Sequence, residues 1–196
     1  MINDFIFIMR NLLCSIKMPE FQKFEFDELA IESCKSEYLE EVFDLYKNLH
    51  NGKDLSKRNK LLLRLAGNKF CYVVKSNSEV VGLGLYYFNQ KDIRENTIHV
   101  GYTGLKKDYR GKGVGTVARK NALYHFSQVK SITGISSRVD IDNEASYRRN
   151  IKLGFEVREQ YFDVDSKKER VYLVCDLKEY KRTLKVYKRM EKRNKL

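Results

Sequence analysis

The chain has 196 residues, 42% of them hydrophobic and 12% aromatic, with one proline, no tryptophan and a formal net charge of +12. That apolar content excludes disorder throughout and suits one domain, or one domain with extensions. The basic balance favours an anionic ligand or surface, yet +7 of it lies in residues 177–196, where nine Lys/Arg stand against two Glu.

Residues 5–16 are largely apolar but are interrupted by Arg10. The run is too short to span a bilayer, and Asp4 stands where a signal peptide carries basic residues, so no membrane span is expected. Residues 1–20 read as an N-terminal extension: either a helix packed on the domain or a segment ahead of a start at Met18. Cys14, Cys34, Cys71 and Cys175 form no CxxC pair, and His50, His99 and His125 are scattered. No metal site is expected, and a reduced, cytoplasmic setting fits.

Residues 29–34 read as a short strand. A helix follows over 36–49, with Ser36 as its cap and Leu39, Val42, Phe43 and Tyr46 on one face. Asn51-Gly52 ends it. Residues 54–65 read as a second helix, with Leu61, Leu62 and Leu65 inward and Gly67 closing it. Residues 69–75 and 79–88 form a hairpin through Ser76-Asn77-Ser78. A strand over 96–105 leads into a glycine-rich segment and a helix to about residue 129. A strand over 131–141, a helix over 143–153 ending at Gly154, and a strand pair over 155–164 and 170–177 complete the series. The order predicts an α/β (α+β) fold: a mixed, mainly antiparallel twisted sheet of about seven strands flanked by helices. Residues 21–177 form the domain. Residues 178–196 form a basic helical tail, with Leu177, Tyr180, Leu184 and Tyr187 at helical spacing.

The glycine-rich segment, residues 108–116 (DYRGKGVGT), carries the chemistry. Three glycines within five residues, flanked by Arg110 and Lys112, stand where a strand ends and a helix begins. Amides at a helix N-terminus beside two cations form a cradle for a diphosphate. The spacing is neither GxxxxGK[ST] nor GxGxxG.

The pattern Arg110-x-x-Gly113-x-Gly115 resembles motif A of the GCN5-related N-acetyltransferases, the GNAT superfamily. Thr103-Gly104-Leu105 and Tyr109 fit its context. Asn143-Glu144-Ala145-Ser146 and Lys152-Leu153-Gly154-Phe155 are similar to the family's second signature. The resemblance implies acetyl transfer from acetyl-CoA (coenzyme A) to a primary amine by direct attack, with no metal. It implies that the amides of Gly111, Lys112, Gly113, Val114, Gly115 and Thr116 hold the pyrophosphate, with charge from Arg110 and Lys112. It also implies that the backbone at Thr103, Gly104 and Leu105 pairs with the pantetheine and polarises the thioester carbonyl.

The catalytic pattern departs from the family's. Thr97 occupies the position where many relatives carry a basic Glu, so His99 is the first candidate base, by its intrinsic pKa, and Glu95 the second. Asn150 occupies the position of the usual Tyr acid; Tyr147 lies three residues earlier. Asn150 is then a candidate hydrogen-bonding partner for the thiol or pantetheine. Asn143 caps its helix, and the resemblance implies that it lies near the pantetheine, with Ser146 one turn away on the same face. Glu40, Glu41, Asp44, Glu156, Glu159, Asp163 and Asp165 read either as a solvated acidic face or as a surface for a cationic acceptor. The alternatives are a degenerate coenzyme A-binding protein and a nucleic-acid- or ribosome-associated protein that uses the basic tail, where Tyr180 and Tyr187 among Lys and Arg suit bases and phosphates. An acidic partner for the tail, and a homodimer formed through the last strands or the tail, stay open.

Overall fold

The computed structural model describes residues 2–164, 166–178 and 180. Its elements in chain order are α1 (Ile2–Ser15), β1 (Phe24–Phe26), β2 (Leu29–Ser33), α2 (Leu39–Leu49), α3 (Lys57–Phe70), β3 (Cys71–Ser76), β4 (Glu79–Tyr87), α4 (Gln90–Glu95), β5 (Thr97–Leu105), α5 (Val114–Ser127), β6 (Gly134–Asp140), α6 (Glu144–Lys152), β7 (Phe155–Asp163) and β8 (Lys168–Asp176). The eight strands form one sheet in the order β1-β2-β3-β4-β5-β6-β8-β7. Every neighbouring pair is antiparallel except β5–β6. The predicted mixed, mainly antiparallel sheet is therefore present, with β1 added at its edge.

Successive strand residues point to opposite faces, and the sheet is covered on both. One cluster joins Tyr72, Val74, Ile98 and Val100 of the strands to Val114, Ala118, Leu123 and Phe126 of α5. The other joins Val73, Leu83 and Leu85 to Val42, Phe43 and Leu45 of α2 and to Leu63 of α3.

The α2 helix is preceded by a 3-10 turn, Ser36–Tyr38, and the Ser36 side chain makes no cap bond. Ser56 caps α3 instead, accepting from the Asn59 amide at 3.4 Å. The α3 helix runs past Gly67 to Phe70, across a non-helical Ala66 (φ −149°, ψ 30°). Its inward residues are Leu62 and Leu63, whereas Leu61 and Leu65 are exposed. Gly67 is not a terminator: a Cβ there would press to 3.2 Å from the Cys34 carbonyl, so the position demands close packing.

Residues 2–15 form a helix packed on the domain. Phe7, Ile8 and Asn11 of α1 are buried. The Asn11 amide donates to the Phe7 and Phe88 carbonyls, both at 2.9 Å, and its Oδ1 accepts from the Phe88 amide at 2.7 Å. Ile2, Phe5, Ile6, Met9 and Leu13 of α1 face outward. At the other end, Leu177 is buried, and Tyr180 is half-buried against the same core. The remainder of the predicted tail, including Leu184 and Tyr187, lies outside the described residues.

Among the described residues no helix is long and apolar enough to cross a membrane, and no group of three or more His, Cys, Asp or Glu is placed to hold a metal.

Candidate active site

The β5 and β6 strands diverge. They pair only from Thr97–Gly134 to Val100–Ser137, while β5 continues to Leu105 and β6 to Asp140. Beyond Val100, β5 keeps its partner β4 and turns a row of unpaired backbone groups toward the gap. The divergence coincides with a register shift opposite Leu85/Tyr86 that leaves Gly101 as the extra residue. Glycine is required there, because a Cβ would overlap the Tyr87 ring.

The gap opens into a cleft of about 560 Å³ whose walls include Tyr102, Thr103, Gly104 and Leu105 of β5, the glycine loop, and Asn143, Ser146 and Arg149 at α6. Gly111 (φ +75°) and Gly113 (φ +80°) are left-handed, and a Cβ added at either would meet nothing within 4 Å. Side chains rarely adopt that backbone. Thr116 and Val117 both donate to the Gly113 carbonyl, at 2.9 and 3.1 Å. Among the described residues, the amides of 111–115 make no such backbone bond, so they are left at the positive end of α5. Arg110 reaches back to donate from Nε to the Leu105 carbonyl at 2.9 Å, tying the loop to the end of β5.

The remaining cofactor candidates divide. Thr116, Asn143 and Ser146 line the cleft, and Asn143 Oδ1 caps α6 by accepting from the Ser146 amide at 3.2 Å. Lys112 is exposed and outside the lining, and the Val114 side chain is buried in the core, leaving only its amide for a ligand. Asn150 is fully buried, and neither its side-chain oxygen nor its nitrogen has a partner. Tyr147 is half-buried against the core and does not line the cleft.

Neither candidate base reaches the cleft. Glu95 ends α4 rather than joining the strand, and accepts from the Tyr172 hydroxyl at 2.8 Å. His99 lies on β5 but is 4% exposed, with Nδ1 2.8 Å from Ser136 Oγ. Ser136 donates to Asp92 Oδ1 at 2.6 Å, and Thr97 donates to the same oxygen at 2.8 Å. The single Ser136 proton is thereby used, which assigns the Nδ1–H tautomer to His99. Burial, with smaller contributions from Arg138 and Arg119, lowers the His99 pKa to about 3. Burial and Lys69 lower that of His125 to about 4.

Both values lie below the ordinary histidine pKa of about 6.5. Between about pH 3 and 6.5 the unfolded chain therefore binds protons that the folded one does not, and stability falls as pH falls through that window. Denaturant midpoints measured across it are expected to rise with pH, and His99→Gln to reduce the slope. An unchanged slope in His99→Gln contradicts the buried neutral histidine.

Two arginines outside the predicted site border the cleft. Arg149 lines it, donating to Ser146 Oγ at 3.3 Å, and its Nη1 would lie 3.2 Å from a Cβ at Gly115. Arg119 is 2% exposed, and its Nη2 is 3.5 Å from Thr103 Oγ1. Burial and then the Arg119 charge lower the Arg149 pKa. Burial pushes the Tyr86 phenol up, with the Arg119 charge the next largest influence, drawing it back. On the opposite side of β5, the Tyr102 ring lies 4.8 Å from that of Tyr46 and 4.6 Å from that of His50.

The acidic face is largely engaged. Glu41 accepts from the Val80 amide, and Glu40, Glu156, Glu159 and Asp163 lie beside Arg64, Arg158, Lys91 and Arg170. Asp165 lies outside the described residues.

A strand edge freed by a bulge, beside a glycine loop at a helix N-terminus, fits a pantetheine diphosphate: the fold and the cleft define an acetyl-CoA-dependent acyltransferase. The profile described as Acetyltransferase (GNAT) family matches residues 25–155, and the chain belongs to that family. An N-acetyltransferase from Staphylococcus aureus Mu50 shares the fold at TM-score 0.64 and 18% identity, over 77% of this chain and 99% of that one. The ribosomal-protein-S18-alanine N-acetyltransferase from Escherichia coli aligns at TM-score 0.61 and 13% identity, over 76% and 94%. The yncA protein of Salmonella typhimurium, solved with its cofactor acetyl-CoA, aligns at 0.61 and 17%, over 77% and 95%. A search of curated proteins finds no match.

Proposed function

We propose that the chain transfers an acetyl group from acetyl-CoA to a primary amine by direct attack within a ternary complex. The observation that carries this reading is the unpaired edge of β5 beyond Val100, which ends at the glycine loop. The loop amides hold the diphosphate and the β5 edge pairs with the pantetheine. A backbone N–H of that edge polarises the thioester carbonyl, where preorganised donors are most effective. The C–N bond forms as the C–S bond breaks. The sulfur departs as the coenzyme A thiolate; Asn150, fully buried and outside the cleft lining like His99, takes no step in the exchange. The amine's proton leaves to water, because His99 is buried, neutral and outside the cleft. The Tyr46–His50–Tyr102 cluster forms an aromatic wall suited to an ammonium-bearing acceptor as it approaches. We place the reaction in the cytoplasm, in keeping with four cysteines that form no disulfide.

The test is release of coenzyme A thiol from acetyl-CoA with a panel of acceptors: small amines, free peptide N-termini and lysine peptides. One class is expected to drive release at a saturating rate. Its pH profile is expected to show no limb near pH 6.5 from His99, since that group stays neutral down to about pH 3. Binding of acetyl-CoA without release by any amine favours the non-catalytic alternative.

A further inference from the structure

Arg119 and Arg149 are held where charge is costly. Arg119 is 2% exposed, and its Nε and Nη1 have no partner; Arg149 Nε is likewise buried and unpartnered. Their hydrogen bonds are to neutral hydroxyls, Thr103 Oγ1 at 3.5 Å and Ser146 Oγ at 3.3 Å. The carboxylate nearest in sequence, Glu144, pairs with Arg148 instead, at 2.8 Å. Among the described residues no carboxylate within ion-pair distance of either guanidinium is found. A buried cation left without an anion destabilises the folded chain, and here the charge of Arg119 also acts on Arg149. Thr103 and Ala118 line the cleft, and Arg119, outside the lining, reaches Thr103 Oγ1; Arg149 lines it outright. The pair stands on α5 and α6, and so is chemically distinct from the loop amides and from Arg110.

We propose that Arg119 and Arg149 form a second anion site, in the floor of the cleft, that takes an oxyanion of the acyl-CoA cosubstrate. The oxyanion is either the diphosphate, drawn deeper than the loop amides alone would hold it, or a carboxylate at the end of the acyl group. Binding completes an ion pair that the free protein lacks, so the cleft is preorganised for an anionic cosubstrate at the expense of its own stability. The proposal rests on the acyl-CoA reading of the cleft.

The test is calorimetric titration of the whole chain with acetyl-CoA, succinyl-CoA and S-acetylpantetheine, the last of which lacks phosphate. The unaltered protein is compared with Arg119→Met and Arg149→Met. Loss of about tenfold or more for both CoA thioesters, with S-acetylpantetheine unchanged, identifies the diphosphate. A loss confined to succinyl-CoA identifies the acyl carboxylate. In the ligand-free state Arg119→Met is expected to melt higher than the unaltered protein, which a merely structural arginine would not do. Should Arg119→Met fail to fold, Arg149→Met carries the affinity comparison. Affinities unchanged for all three probes overturn the proposal alone. No binding of acetyl-CoA to the unaltered protein overturns the proposal together with the acetyltransferase reading.

Discussion

Gly113→Glu is expected to weaken acetyl-CoA binding by about a hundredfold or more while leaving the fold intact. Gly113 has φ +80°, and a Cβ there would meet no atom within 4 Å. The cost lies elsewhere. A side chain in the left-handed region costs about 1–2 kcal/mol, which shifts the loop amides toward another conformation. A carboxylate beside the diphosphate then opposes charge-assisted bonds worth about 1.5–3 kcal/mol each. With two such bonds weakened, the sum is about 4 kcal/mol or more, above the ~2.8 kcal/mol that a hundredfold loss requires. Titration of acetyl-CoA into the variant, with circular dichroism to verify the fold, measures the effect. Affinity equal to that of the unaltered protein would remove the loop from the cofactor site.

Asn11→Ala is expected to be the most damaging single change in the N-terminal helix. Asn11 is fully buried and satisfies both the amide and the carbonyl of Phe88, at the end of β4. Removing its side chain leaves two buried backbone groups unpaired, at about 1–3 kcal/mol each. With about 2–4 °C lost per kcal/mol in a chain of this size, Tm should fall by roughly 4–24 °C. Thermal melts of the two proteins decide it; a fall of under about 2 °C would mean that α1 is not anchored as the hydrogen bonds indicate.

The element order from Leu29 to Leu177 is legible in the sequence because most elements there are long, periodic and bounded by turn residues. The departures have physical causes. In the LLLRL run of α3 a shift of one residue turns the inward face by 100°, and the kink at Ala66 compounds it, so Leu61 and Leu65 are exposed rather than inward. The six-residue α4 is too short for periodicity to reveal, although Asn89 and Asp92 form a capping box at its start. That helix ends at Glu95, just ahead of β5.

The glycine loop is legible because its chemistry is local: its three glycines and two cations are adjacent in the chain. The catalytic candidates are harder to read, since alternation tells which face a strand residue takes but not what covers it. His99 is on a strand as expected, yet Ser136 and Asp92, neither of them adjacent to it in sequence, close over it. The bulge at Gly101 is likewise invisible to a period of two. Arg119 does leave a signal. It falls on the inward stripe of α5 with Ala118, Ala122 and Phe126, where an arginine conflicts with a purely apolar packing role.

The most direct test of the cleft is a backbone-amide NMR spectrum of the whole chain titrated with acetyl-CoA. The amides of Gly111, Gly113, Val114 and Gly115, and those of Thr103 to Leu105 on the free edge of β5, are expected to move together and saturate at one equivalent. A spectrum in which these signals stay fixed as acetyl-CoA is added would contradict both the cradle and the acetyltransferase reading built on it.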